Sequence, residues 1–254
     1  MNRLDGKVAI ITGGNSGVGA VTAKLFAREG AKVVITARRA APLEAVANEI
    51  REAGGEALPV AMDISKADEV KALIAKTVET FGRLDILVNN AGVLDEGLKP
   101  IDRFSDEDLD RVVEINEKGC MYCIREGTKQ MQENGGGSVV NVASVAGALG
   151  CGGAAYVASK AAIIGITRHT ALRFAGKNIR CNAVCPGSIV TPMVANMRPD
   201  NMDADMYGAM GKHADLRVPI CQPDDVANVL LFLASDESKA VTGQAIISDF
   251  GSTL

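Results

Sequence analysis

Near the middle of the chain, Tyr156 and Lys160 stand four residues apart, the first types and spacing that could do chemistry. The run Ala154–Arg173 is rich in Ala, Ile, Lys and Arg and has no Pro, so it reads as helix. That helix brings both side chains to one face, a turn apart. A phenol ordinarily ionises near pH ~10, too high to exchange protons at neutral pH. An ammonium one turn away favours the phenolate and draws it towards the working range, which makes the pair a candidate acid-base unit. The same spacing also occurs as a plain surface pair, so its surroundings must decide. With only two histidines, His169 and His213, acid-base work falls to other side chains.

Such a pair acts only on a scaffold that holds it against a partner, and the chain around it has a regular build. Val8-Ala9-Ile10-Ile11 is a continuous apolar run, as in a strand buried on both faces of a parallel sheet. It leads into Thr12-Gly13-Gly14-Asn15-Ser16-Gly17-Val18-Gly19, after which residues 20–28 read as helix with Val21, Leu25 and Phe26 inward. Strand, glycine turn and helix make a phosphate cradle. Glycine permits unusual φ and close backbone approach, and the helix start offers free N–H groups and a positive dipole end. Further strands are expected at 32–36, 56–60, 84–88, 138–142, before Pro186-Gly187 and at 244–248. Helices are expected at 43–53, 70–80, 109–131 and 226–234. The alternation predicts an α/β, Rossmann-like, doubly wound domain, with one parallel sheet covered by helices on both faces. No linker, repeat or low-complexity stretch intervenes, so 1–254 is expected to be one dinucleotide-binding and catalytic domain.

Composition narrows the partners. A net charge of −4 with no basic stripe argues against nucleic acid or an anionic membrane surface. No apolar run nears the ~18 residues of a bilayer span, and Asp5 and Lys7 interrupt the N-terminus, so a cytoplasmic protein is expected. Six cysteines without an export signal read as reduced thiols. Cys120-x-x-Cys123 falls inside a helical stretch with few histidines to complete a site, so no metal is expected.

The glycine spacing, Gly13-x3-Gly17-x-Gly19 after Thr12, resembles the short-chain dehydrogenase/reductase family. The downstream signatures agree and come in order: Asn89-Asn90-Ala91-Gly92, Asn116, Ser144, Tyr156, Lys160 and Pro186-Gly187. The resemblance runs from Lys7 to Asp249 and implies a seven-stranded sheet and hydride transfer between a nicotinamide and an alcohol or ketone. It implies Tyr156 as proton donor, Ser144 as hydrogen-bond donor to the reacting oxygen, and Lys160 as modulator of Tyr156 and ligand of the nicotinamide ribose. Asn116 would hold a water linking Lys160 to solvent. For the cofactor it implies Gly13, Asn15, Ser16, Gly17, Val18, Gly19, Asp63, Ile64, Asn90, Ala91, Gly92, Pro186, Gly187, Ile189 and Thr191. A homotetramer or homodimer is implied in the same way. Two departures are Phe250 in Asp249-Phe250-Gly251, where many relatives have glycine, and the charged Glu117-Lys118 after Asn116.

The second strand ends Ile35-Thr36-Ala37 and is followed by Arg38-Arg39. A carboxylate there would accept from the adenosine ribose, whereas two guanidinium groups suit a 2′-phosphate, so NADP is favoured over NAD. Against this, Asn15 and Ser16 bring no charge to the glycine loop. Residues 189–218 hold five of the nine methionines, Met193, Met197, Met202, Met206 and Met210, in sets spaced by four. They read as a substrate lid of unbranched thioethers that mould to an apolar ligand, or equally as packing against the core or a neighbouring subunit. With Leu94 and the small wall around Gly150, they predict a roomy apolar pocket touched by Met193, Met197 and Met206. The expected function is NADP-dependent interconversion of a secondary alcohol and a ketone on a bulky apolar framework such as a hydroxysteroid. The alternatives are a 3-oxoacyl-carrier-protein reductase and, in another class, a non-catalytic nucleotide-sensing protein.

Overall fold

The computed structural model describes residues 2–197, 199–215 and 217–254. Seven strands, β1 (Val8–Thr12), β2 (Lys32–Ala37), β3 (Glu56–Ala61), β4 (Ile86–Asn89), β5 (Gly137–Val142), β6 (Ile179–Pro186) and β7 (Ala245–Ser248), form one sheet. All pairs are parallel, in the order β3-β2-β1-β4-β5-β6-β7. The helices between them are α1 (Gly17–Arg28), α2 (Ala40–Glu52), α3 (Ala67–Phe81), α4 (Asp106–Val112), α5 (Gly119–Glu133), α6 (Val145–Leu149), α7 (Ala154–Arg173), α8 (Pro192–Ala195), α9 (Ala204–Met210) and α10 (Pro223–Ala234). No described helix is long and apolar enough to cross a membrane.

The continuous apolar strands follow from a core on each face. Ala9 and Ile11 of β1 pack with α1, α2 and α10, while Ile10 packs with α3, α5 and α7. Each fully buried Ile, Leu or Val contributes about 1.5–3 kcal/mol, enough to fix both layers and leave the strand ends to carry function. Pro59 lies in β3, an edge strand, where its missing N–H removes no ladder bond from a central strand. The order reverses between β1 and β4, which opens a crevice at their carboxyl ends.

Buried polar side chains key the elements together. Asp85 accepts from the Val8 N–H at 2.9 Å and from Arg83, locking the start of β4 to β1. Asn141 of β5 is fully buried; its Nδ2 donates to Thr167 Oγ1 of α7 at 2.8 Å and its Oδ1 accepts from Asn89 Nδ2 at 2.8 Å. The helix that bears Tyr156 and Lys160 is thereby fixed to the sheet.

Three local features differ from the sequence reading. The inward side of α1 is Val18, Gly19, Thr22, Ala23 and Phe26, with Val21 and Leu25 only partly buried. The helix expected at 109–131 is two helices, α4 and α5, joined by a π-helical turn, Val113–Lys118, which carries Asn116. Such widened turns insert a residue and re-aim a side chain, and here Asn116 points inward, 2% exposed. In residues 189–218 the proline at the first turn of α8 and a 3-10 turn at Pro199–Asn201 divide the chain into short pieces. Met197 therefore lies beyond α8 and does not share a helix face with Met193. A parallel bridge between Ile189 and Cys221 closes the base of the segment.

Gly147 of α6 lies against the backbone of α7, where an added Cβ would fall 2.4 Å from the Lys160 carbonyl carbon. Backbone cannot yield as a side chain can, so Gly147→Ala is expected to destabilise by about 1–3 kcal/mol. Thermal denaturation tests this, and a Tm equal to that of the parent would refute it.

Candidate active site

A cleft of 1080 Å³ opens over the carboxyl ends of β1, β4 and β5. Its floor is the turn after β1, where Gly13 and Gly17 take positive φ of 68° and 51°. Thr12 stitches this turn to the one after β4: its Oγ1 accepts from the N–H of Asn90 and of Ala91, both at 3.0 Å. Asn90 Nδ2 returns a bond to the Thr12 carbonyl at 2.9 Å. Ser16, at the start of α1, makes no side-chain cap, so the N–H groups of the first turn stay free for an anion. Gly13, Asn15, Ser16, Gly17 and Val18 line the cleft. Gly19 sits behind them, where a Cβ would fall 2.3 Å from the Gly13 carbonyl oxygen, so it shapes the loop from outside.

The structure brings Ser144, Tyr156 and Lys160 to one wall of this cleft. Ser144 caps α6, its Oγ accepting from the Ala146 N–H at 3.1 Å, which leaves its own hydrogen to donate. Lys160 is 5% exposed, and its Nζ donates to the Val142 carbonyl at 2.8 Å. An ammonium has three donors, so the others remain for hydroxyls brought by a ligand. Asn116 Oδ1 accepts from the Val93 N–H at 2.8 Å, and Nδ2 donates to the Val93 carbonyl at 2.9 Å and to Ser159 Oγ at 3.0 Å. A Cβ on Gly92 would meet Asn116 Oδ1 at 3.2 Å and Lys160 Nζ at 3.4 Å, so only glycine leaves the space between them open.

The electrostatics depart from the simple pairing of phenol and ammonium. Burial pushes the Tyr156 hydroxyl up to about 12; a hydrogen bond with Ser144 opposes the rise and the charge of Asp95 adds to it. Burial likewise pulls Lys160 down to about 8, against Cys120 and Cys185. Lys160 Nζ is 5.6 Å from the Tyr156 ring centroid. Desolvation is the largest influence on the phenol, in place of the cation that was expected to depress it.

Arg38 and Arg39 follow β2, exposed and on the cleft rim, with Ala37 in place of a carboxylate. Burial raises the Asp63 carboxyl, but bonds from Ser65 and the charges of Arg38 and Lys66 outweigh this and leave it low. Ile64, Ala91, Gly92, Pro186, Gly187, Ile189 and Thr191 complete the cofactor side of the lining. Leu94, Met193 and Met197 line the outer side, joined by Met202. Gly150 and Met206 are not part of that lining: Gly150 ends α6 with φ of 79°, and Met206 lies in α9. Cys120 and Cys123 are buried in α5; burial pushes Cys120 up to about 12 and Cys123 further, so both stay protonated.

Asp95 is the residue that sequence reasoning missed. It lines the cleft, is 6% exposed, and neither carboxylate oxygen has a hydrogen-bond partner. Burial and the neighbouring Asp108 push it up to about 6, against its own backbone N–H and the pull of Arg111. In the sequence it is one acid in a polar loop, and no spacing marks it.

A family model described as enoyl-(acyl carrier protein) reductase matches residues 13–253. The chain is 40% identical to a 3-oxoacyl-[acyl-carrier-protein] reductase of Thermotoga maritima, over 98% of each chain. It is 38% identical to a 3beta-hydroxysteroid dehydrogenase of Mediterraneibacter gnavus, over 100% of this chain and 97% of the relative. Among solved structures, levodione reductase superposes with a TM-score of 0.90 at 34% identity, over 98% of each chain. The chain belongs to the short-chain dehydrogenase/reductase family and is one of its NAD(P)-dependent oxidoreductases.

Asp95 gives the fold a measurable pH signature. Its folded value, about 6, stands above its ordinary 3.8, so its contribution to stability is full below about pH 4 and is lost as pH rises through 6. Asp95→Asn cannot ionise and escapes that loss. Its stability advantage over the parent is expected to grow by up to about 3 kcal/mol between pH 4 and 7.5. Denaturant titration at both pH values measures it; an advantage that is constant or shrinks refutes the assignment.

Proposed function

We propose that the protein is an NADP-linked oxidoreductase that interconverts a secondary alcohol and a ketone carried on a bulky, largely apolar framework. The convergence of Ser144, Tyr156 and Lys160 on one wall above a glycine-turn floor carries this reading. The residues fit the nicotinamide cofactor: uncapped N–H groups face the cleft and Lys160 keeps donors to spare. When bound, that cofactor supplies or accepts the hydride. Tyr156 passes a proton to the carbonyl oxygen, and Ser144, whose oxygen is already engaged by Ala146, donates its hydrogen to the same atom as charge builds. Lys160 holds ribose hydroxyls and, as ligand and substrate enter, stabilises the phenolate form of Tyr156. Asn116 keeps a second lone pair on Oδ1, beside Gly92 and Lys160, for a relay water. These intact groups argue against a purely nucleotide-sensing role.

Arg38 and Arg39, directly after Ala37 at the end of β2, support NADP. Residues 189–218 form the lid in this reading, with Met193, Met197 and Met202 as its apolar face. The hydroxysteroid dehydrogenase relative favours a ring alcohol. A 3-oxoacyl-carrier-protein reductase is the second reading, supported by the relative from Thermotoga maritima. Activity on a ring ketone but not on a 3-oxoacyl thioester separates them. We also propose a homotetramer or homodimer, since Ile247, Phe250 and Leu254 near the C-terminus are exposed beside Leu149, and a cytoplasmic location on the composition alone.

Tyr156→Phe keeps the ring but removes the proton, so turnover is expected to fall by at least ~10²–10⁴-fold while cofactor affinity holds. Single-turnover kinetics with fluorescence titration of the nicotinamide checks this, and substantial turnover by the folded variant would sink the assignment. For the cofactor, Arg38→Ala is expected to raise the NADP KM about tenfold or more and the NAD KM far less. Ala37→Asp should weaken or reverse the preference by repelling a 2′-phosphate. A parent protein that uses NAD better at equal concentration contradicts the arginine reading.

A further inference from the structure

Asp95 has no role in the proton and hydride chemistry proposed above, yet it lines the cleft with both oxygens buried and unpartnered. Its loop is pinned on every side. Val93 is held by Asn116, the Leu94 carbonyl by Arg111 Nη2 at 2.8 Å, and the Glu96 N–H by Asp108 Oδ2 at 2.8 Å. Beyond it, the Gly97 carbonyl accepts from the Asp203 N–H and the Lys99 carbonyl from the Ala154 N–H, each at 2.8 Å. Asp95 therefore has a fixed place, and leaving a buried carboxylate without a donor is costly.

Its neighbours are shaped to admit it. A Cβ on Gly153 would fall 1.6 Å from Asp95 Oδ2, so glycine there makes room for the carboxylate beside the helix that bears Tyr156. Gly153 is the extended N-cap of that helix, three residues before Tyr156, and the charge of Asp95 reaches the Tyr156 hydroxyl. The nearest cation does not neutralise Asp95: the Arg111 guanidinium bonds Asp108 and the Leu94 carbonyl instead. Asp108, also close, adds a second negative charge. An ionised carboxylate only accepts, so its missing partner is a donor. Arg111 and Lys160 line the same cleft and would repel a cationic ligand, which leaves a neutral hydroxyl.

We infer that Asp95 is a specificity-determining acceptor for a second hydroxyl on the substrate, so that the protein favours a diol over the matching mono-alcohol. This rests on the alcohol–ketone reading above and narrows its substrate class to apolar rings that bear two oxygens a few bonds apart. A rigid buried acceptor discriminates well, because a substrate without the donor leaves the acceptor desolvated and unpaired.

The test follows NADPH formation from cyclohexanol and from cyclohexane-1,2-, 1,3- and 1,4-diol with the intact protein and saturating NADP. At least one diol is expected to exceed cyclohexanol in kcat/KM by ~10–100-fold, the range for a hydrogen bond to a charged group. Asp95→Leu should erase or reverse that ratio, and Asp95→Asn, which keeps an acceptor, should recover part of it. A parent protein that prefers no diol, or a ratio equal in Asp95→Leu, overturns the inference. If none of the alcohols turns over, the alcohol–ketone reading fails on its own, and calorimetric titration of the same alcohols then decides the anchor. Tighter binding of a diol that is lost in Asp95→Leu sustains it; equal affinities overturn it.

Discussion

The buried amide of Asn116 engages both polar groups of the Val93 backbone and the hydroxyl of Ser159, and so joins three elements that are remote in sequence. It stands in the π-helical turn between α4 and α5, reaches the loop after β4, and touches α7 one residue before Lys160. Ser159 extends the chain of bonds by donating to the Tyr156 carbonyl at 2.8 Å. A neutral amide suits this place, because it both donates and accepts and brings no charge into a region that already desolvates Lys160. With the bond from the Ala154 N–H to the Lys99 carbonyl, it sets the loop bearing Leu94 and Asp95 against the face bearing Tyr156 and Lys160.

Desolvation governs Tyr156, Asp95 and Lys160, three ionisable groups of the cleft. It raises Tyr156 and Asp95 and lowers Lys160, so each is displaced towards its neutral form. Such a site is poised by what enters it. A ligand hydroxyl beside Lys160 favours its charged form, and that charge in turn favours the phenolate; a donor beside Asp95 stabilises its carboxylate. The protein supplies fixed positions and a dry setting, and the bound molecules complete the charge balance.

Much of this was legible in the residues. Continuous apolar runs located the strands, since burial on both faces leaves no place for alternation, and the glycine turn after β1 was placed by its strand and helix flanks. Tyr156 and Lys160 stood out by type and spacing, and Ser144 and Asn116 by the family resemblance. What escaped depends on contacts between distant segments. The π-helical turn leaves no apolar period behind it, because its cause is the bonding of Asn116 to Val93. Gly19 carries the signature of a phosphate contact but serves the loop from behind, against the Gly13 carbonyl. The pull of Lys160 on Tyr156 was argued from spacing alone, which says nothing of how dry the cleft is. Asp95 was invisible because its significance lies in what it lacks.

The apolar and polar sides of the substrate region form one layer. Asp203, itself buried, donates its N–H to the Gly97 carbonyl and receives Arg103 at 3.0 Å, which ties the methionine-bearing segment to the Asp95 loop. Gly97 is needed at this seam, since a Cβ there would fall 2.2 Å from the Asn201 carbonyl oxygen. Met193, Met197, Met202 and Asp95 thus line the same cleft from a connected surface. An apolar ring gains affinity from the methionines in proportion to the area it buries, with little regard to orientation. A single fixed acceptor at one edge adds the direction that burial cannot, because only one way of seating the ring satisfies it. Orientation matters most for the proposed reaction, in which the reacting carbon would have to come within reach of both Tyr156 and Ser144.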